Sequence, residues 1–314
     1  MKPIIRILLT GLLLTFGLGE NLQPYILIGE IGLPIERAKS EIVKRFFMSS
    51  TEMEIKAKFH PFQDENQYIL ILTHPKLQAI AAENWPGAPL LSVVRYGIFQ
   101  RNGMTYLVCQ NLPYWGQAFL QDNYSAVEKD LLAVQEQVLN TLPRLRMVAH
   151  KEFGIEAGLS PEFLRHFQMI TEEKGLFGLF GKKTTKHAGF NDPLVLGEWQ
   201  GTPAAISHIK QNLDGAGLSL VFEVADPARN WSLMGIDFPK DSPLLPATKQ
   251  LETGSHRHTA FWPLVVVIQN GQVYTAHPNY IIPLGFPAID NEQFKELLTV
   301  TPQISQTLLQ LVKQ

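Results

Sequence analysis

The segments QRNGMTYLVCQN (100–111) and IQNGQVYTAHPN (268–279) decide the fold of this chain. Aligned without a gap, Asn102 meets Asn270, Gly103 meets Gly271, Tyr106 meets Tyr274 and Asn111 meets Asn279, a constant offset of 270 − 102 = 168. Asn-Gly between alternating apolar residues predicts a two-residue β-hairpin turn, because both residues tolerate positive φ. The recurrence therefore predicts one hairpin used twice. Two further blocks keep the offset: Gly29-Glu30 with Gly197-Glu198, and Asp122-Asn123 with Asp290-Asn291. A looser match, Pro75-Lys76 with Pro239-Lys240, needs 239 − 75 = 164. Separated blocks in one register predict an internal duplication, with a first unit over 20–145, a connector over 146–190 and a second unit over 191–314.

Local patterns support that division. In the first unit YILIGEI (25–31) and YILILT (68–73) read as buried strands. MEIKAKF (53–59) alternates, and 34–47 carries Ile35, Ala38, Ile42, Val43 and Phe46 at helical spacing after Pro34. Residues 125–142 predict a long helix with a Ser125–Glu128 capping box, stopped by Pro143. The second unit repeats the order: a strand at 193–199, a helix capped by Thr202, strands at 218–224 and 262–268, the Asn270-Gly271 hairpin, then two helices from Asp290 and Thr301. The expected class is α/β of the α+β type, two tandem two-layer sandwiches with largely antiparallel sheets. In the connector, SPEFLRHFQMITEEKG (160–175) reads as one amphipathic helix capped by Ser160.

With a strand, a His-Pro step, a helix, APLL and an Asn-Gly hairpin in sequence, residues 68–108 resemble the domain of unknown function 302 family. The step here is THP, where that family more often has Asn before the Pro. The resemblance implies a compact α/β domain that often occurs in pairs, and it brings no established reaction.

Composition narrows the function. With 45% hydrophobic and 18% charged residues the chain is a folding sequence, not a disordered one. A formal net charge of −2 provides no basic surface for nucleic acid. Lys2 and Arg6 precede the apolar run 7–19, which ends in small residues and is followed by polar ENLQP. That is the pattern of a secretory signal, cut near Glu20, and it predicts a periplasmic or secreted protein. Left uncut, the same segment would be a membrane anchor. Cys109 is the single cysteine, so no intramolecular disulfide forms, and its place in an alternating strand predicts a buried, inert thiol.

Common catalytic and nucleotide-binding motifs are absent, and no cofactor is indicated. His256 and His258, two residues apart on an extended segment, face one side and could share a metal with His277. Glu30 and Glu198, which follow Gly at the ends of matched strands, are a candidate acid–base pair. Tyr106, Tyr274, Tyr114 and Trp115, aromatic with a polar edge, are candidate ligand-binding residues. Residues 176–186 carry bulky apolar pairs among glycines beside Lys182, Lys183 and Lys186, a pattern suited to a membrane surface. The leading expectation is an exported two-unit protein that binds a small molecule or protein partner and has no chemistry of its own. The alternatives are a metal- or cofactor-dependent protein using the histidines, and a membrane-tethered accessory subunit.

Overall fold

The structure, a computed structural model, describes residues 20–48, 52–140, 150–173, 183–252 and 256–313. In chain order its first part runs β1 (Tyr25–Ile31), α1 (Ile35–Met48), β2 (Glu54–Phe59), β3 (Gln67–Thr73), α2 (Pro75–Ala81), β4 (Val94–Arg101), β5 (Met104–Gln110), α3 (Leu112–Leu120) and α4 (Tyr124–Asn140). A middle part carries β6 (Lys151–Phe153), α5 (Pro161–Arg165), β7 (Gln168–Glu173) and β8 (Lys183–Gly189). The last part runs β9 (Leu194–Glu198), α6 (Thr202–Asn212), β10 (Ser219–Asp226), β11 (Trp231–Asp237), α7 (Leu244–Leu251), β12 (Leu264–Gln269), β13 (Gln272–Thr275), α8 (Pro278–Gly285) and α9 (Asn291–Gln310). It is an α+β fold.

Both large sheets are antiparallel, ordered β2-β3-β4-β5-β1-β6 and β10-β11-β12-β13-β9. With β6 set aside, the two orders correspond strand for strand. The hairpin turns hold Asn102 at φ 51° and Gly103 at 77°, and Asn270 at 53° and Gly271 at 85°. Positive φ at both central residues is what a type I′ turn requires, and it matches the twist of the flanking strands. Tyr106 pairs with Phe99 and Tyr274 with Val267, where 267 − 99 = 168. Bulges also recur. Ile28 is the extra residue just before Gly29-Glu30, and Leu196 just before Gly197-Glu198. The common register stops there, against expectation. Glu30 pairs with Tyr106 whereas Glu198 pairs with Gln272, so the partner strand lies two residues further along. Beyond the hairpins the offset becomes 278 − 112 = 166, because β13 is shorter than β5.

Several local expectations need correction. The 160–175 segment is not one helix: α5 lasts five residues, and 168–173 is a strand paired with β8. Ser160 does cap α5, accepting from the Phe163 N–H. Of 176–186, residues 183–186 belong to β8, and 176–182 lie outside the described residues, as does the predicted signal 1–19. Ser125 is inside α4, which starts at Tyr124 after a 3-10 turn over Gln121–Asn123, so it caps nothing. Thr202 is the first helical residue of α6, and Gly201 is the residue before it. A single helix, α9, replaces the two expected from Asp290 and Thr301. Pro302 lies within it, and the buried stripe Phe294, Leu297, Thr301, Ile304 and Leu308 continues past the proline. One lost N–H bond is outweighed by burial of that stripe. Asp290 caps α9 with a full capping box to Gln293.

The two sheets meet through reciprocal contacts. The 3-10 turn before β4 (Ala88–Leu91) packs on β11 and β12, and the one before β12 (Thr259–Phe261) packs on β3, β4 and β5. Gly97 permits the second approach, since a Cβ there would lie 2.9 Å from Val108 Cγ2 and 3.1 Å from the Ala260 nitrogen. At the helical end, the Tyr114 hydroxyl donates to the Leu284 carbonyl at 2.8 Å, and the Tyr280 hydroxyl donates to the Ala118 carbonyl at 3.1 Å. Here 280 − 114 and 284 − 118 are both 166. Residue i touching j while the counterpart of j touches the counterpart of i is the pattern of a two-fold interface, built inside one chain.

Candidate functional site

Arg95 is the one charged residue in the buried stretch Val94–Phe99 of β4, the strand on which the Thr259–Phe261 turn packs at the seam. It is 6% exposed. Its Nη2 donates to the Pro263 carbonyl at 3.3 Å, and 263 − 95 = 168, so Arg95 touches its own counterpart position across the seam. Its backbone N–H donates to Gln110 Oε1 at 3.1 Å, which leaves the Gln110 amide nitrogen as a donor with no protein acceptor among the described residues. The guanidinium carries five N–H donors. One reaches a protein acceptor, and Nε is buried without a partner. No carboxylate pairs with Arg95 among the described residues. Burial lowers its pKa to about 10, with Tyr25 acting the other way, and the group stays charged at neutral pH.

Arg95 and Gln110 line a cavity of about 20 Å³, large enough for a water molecule or a small ion. Trp115, Phe119, Phe261 and Ile281 form apolar walls, and Thr275 lies on the second-sheet side. Trp115 and Ile281 are themselves counterparts, 281 − 115 = 166. The Thr275 hydroxyl is engaged, donating to the Val265 carbonyl at 2.6 Å. The polar equipment of the cavity is thus donor-rich and positive, inside a wall of low polarizability toward charge. Isolated buried charge is costly unless something compensates it.

Of the residues singled out as ligand-binding, Trp115 lines this cavity; its indole N–H is spent on the Pro24 carbonyl. Tyr114 is fully buried beside it, in the seam hydrogen bond. Tyr106 stacks on Phe99 with ring centroids 5.0 Å apart, and the Tyr274 hydroxyl donates to Gln269. Neither lines the cavity.

The histidines have other surroundings. His258 is 1% exposed, stacked on Phe153 at 5.8 Å and set edge-on to Phe286 at 4.8 Å. Burial lowers its pKa to about 3, so it is neutral, and its Nδ1 has no partner. His256 packs edge-on to Phe153 and Tyr106. Burial lowers its pKa, and Glu30 opposes that. His277 caps α8, its Nδ1 accepting from the Asn279 N–H at 3.1 Å, as His74 caps α2. Among the described residues no three His, Cys, Asp or Glu side chains gather closely enough to hold a metal ion. Glu30 lies near His256, and Glu198 ends β9 facing Gln272. Cys109 is buried, and burial raises its thiol pKa to about 12, so it stays protonated.

Arg95, Gln110 and Thr275 were passed over in the sequence. The available signal was a lone cation within LLSVVRYGIF (90–99), where every neighbour predicts burial. No protein-family model, curated protein or solved structure matches this chain.

Proposed function

We propose that this chain is an exported binding protein, two duplicated α+β units whose ligand site is the cavity on their shared axis. The observation that carries the site is Arg95: a buried, charged side chain lining a cavity, with four of its five donors unused by acceptors among the described residues. Reciprocal seam contacts and equal strand orders support the duplication, and the basic-then-apolar residues 2–19 support export. Clefts between units are preferred places for ligands, because each unit supplies a preformed wall. No catalytic role is assigned: the one side-chain hydroxyl on the cavity wall, that of Thr275, is spent on the Val265 carbonyl, and no carboxylate lines the cavity among the described residues.

The test is native mass spectrometry of the protein isolated from its own host, alongside Arg95→Ala. The expected result is a non-covalent adduct on the wild type that Arg95→Ala lacks, on a chain shortened by about 19 residues. A bare wild-type protein, through several gentle preparations, would remove the binding reading. An intact N-terminus would remove cleavage.

A further inference from the structure

We infer that the axial cavity is a site for one small monovalent anion, of the size of a halide or formate, held by the unused donors of Arg95 and Gln110. This rests on the cavity being the ligand site and adds the ligand's chemical class.

Three observations point the same way. First, the polar groups free to act inside the cavity are donors: the guanidinium of Arg95 and the amide nitrogen of Gln110. Gln110 is 3% exposed, and its oxygen is fixed on the Arg95 N–H, which settles which end of the amide faces away. A cationic ligand would meet the like charge of the guanidinium there. Secondly, no carboxylate pairs with Arg95 among the described residues, although ion pairs are common elsewhere, as at Arg257–Asp64 and Lys76–Asp130. A guanidinium taken out of water without a counter-charge is destabilising, and a bound anion supplies the missing charge and acceptors together. Thirdly, a cavity of about 20 Å³ holds a group of the size of one water or somewhat larger, so a small anion fits it. A monatomic halide or the carboxylate of formate satisfies size and charge at once. The apolar walls strengthen the charge–charge attraction by excluding solvent.

Thermal unfolding in anion series separates the possibilities. Wild type and Arg95→Gln are melted in sodium chloride, bromide and formate, with ionic strength held constant by gluconate, whose anion is too large to enter. Formamide serves as a neutral isostere of formate. An anion bound only to the native state raises the unfolding midpoint with a saturating dependence. The expected result is a saturating rise of a few degrees in wild type and none in Arg95→Gln, with formamide without effect. General salt effects act on both proteins alike and cancel in the comparison. If formamide stabilises while formate does not, the cavity binds a neutral molecule: the anion is refuted and the ligand site stands. If no solute acts differently on wild type than on gluconate controls, both are refuted. Should Arg95→Gln fail to fold, Arg95→Lys replaces it, with a weakened anion response expected, because a point ammonium lacks the planar fork.

Discussion

His258 and Asp237 give the molecule a pH dependence with two opposing parts. His258 is neutral when folded, with a pKa of about 3, whereas unfolded histidine takes up a proton near 6.5. Below about pH 6.5 the unfolded chain binds a proton that the native state refuses, so stability falls as pH falls from about 6.5 to about 3. Asp237 behaves oppositely. Burial raises its pKa to about 6, against hydrogen bonds from the Phe62 and Phe238 N–H groups. Between its unfolded pKa of about 4 and about 6 the native state holds a proton that the unfolded chain has released, so stability falls as pH rises. From about pH 4 to 6 these two slopes offset each other, and below about 4 Asp237 no longer contributes, while His256, His277 and Asp64, also held below their ordinary values, add to the acid loss. His258→Phe keeps the ring packing against Phe153 and Phe286 and removes the titration. Chemical denaturation of this variant across pH should show a shallower acid loss than wild type, with the difference between the two proteins confined to pH below about 6.5. An unchanged acid limb would mean that His258 is protonated in the native state.

At the scale of elements, the hairpins, buried strands and most helices are legible because their causes are local. Asn102-Gly103 and Asn270-Gly271 specify their turns whatever surrounds them. The connector failed for the opposite reason. Phe163, Leu164, Phe167 and Ile170 keep helical spacing, but pairing of β7 with the next strand, β8, overrides it after five helical residues, and no pattern within 160–175 encodes that partner. The expected cap residues are displaced in a smaller way: Thr202 is the first residue of its helix and Ser125 the second, so neither stands at the position just before the helix from which a side chain caps it. Arg95 was hidden because its meaning depends on the seam, and no pattern within one unit encodes the other. Gly97 tests how closely the elements are fitted. Gly97→Ala puts a methyl against Val108 and the Ala260 backbone, and β4 must move away from the Thr259–Phe261 turn. The expected loss is about 1–3 kcal/mol in denaturant unfolding, typical of overpacking. A neutral result would mean that the turn yields freely and does not fix the seam.

At the scale of the whole molecule, the reciprocal hydrogen bonds of Tyr114 and Tyr280 allow the seam between the two sheets to be tested symmetrically. Tyr114→Phe and Tyr280→Phe each remove one hydroxyl from counterpart positions and leave a buried carbonyl without its donor. Each should lower stability by about 1–3 kcal/mol, and the two losses should agree within about 0.5 kcal/mol. A large loss from one and none from the other would mean that the contacts are not equivalent. In the proposed reading, the same packing that joins the two sheets also buries the Arg95 charge that a ligand would answer. The most direct measurement is a crystal structure of the protein as isolated, with anomalous data from a bromide soak. Non-protein density within hydrogen-bond distance of the Arg95 guanidinium and the Gln110 amide, replaced by an anomalous peak after the soak, is the predicted result. A guanidinium paired with a carboxylate, or a cavity filled by side chains and indifferent to bromide, would contradict it.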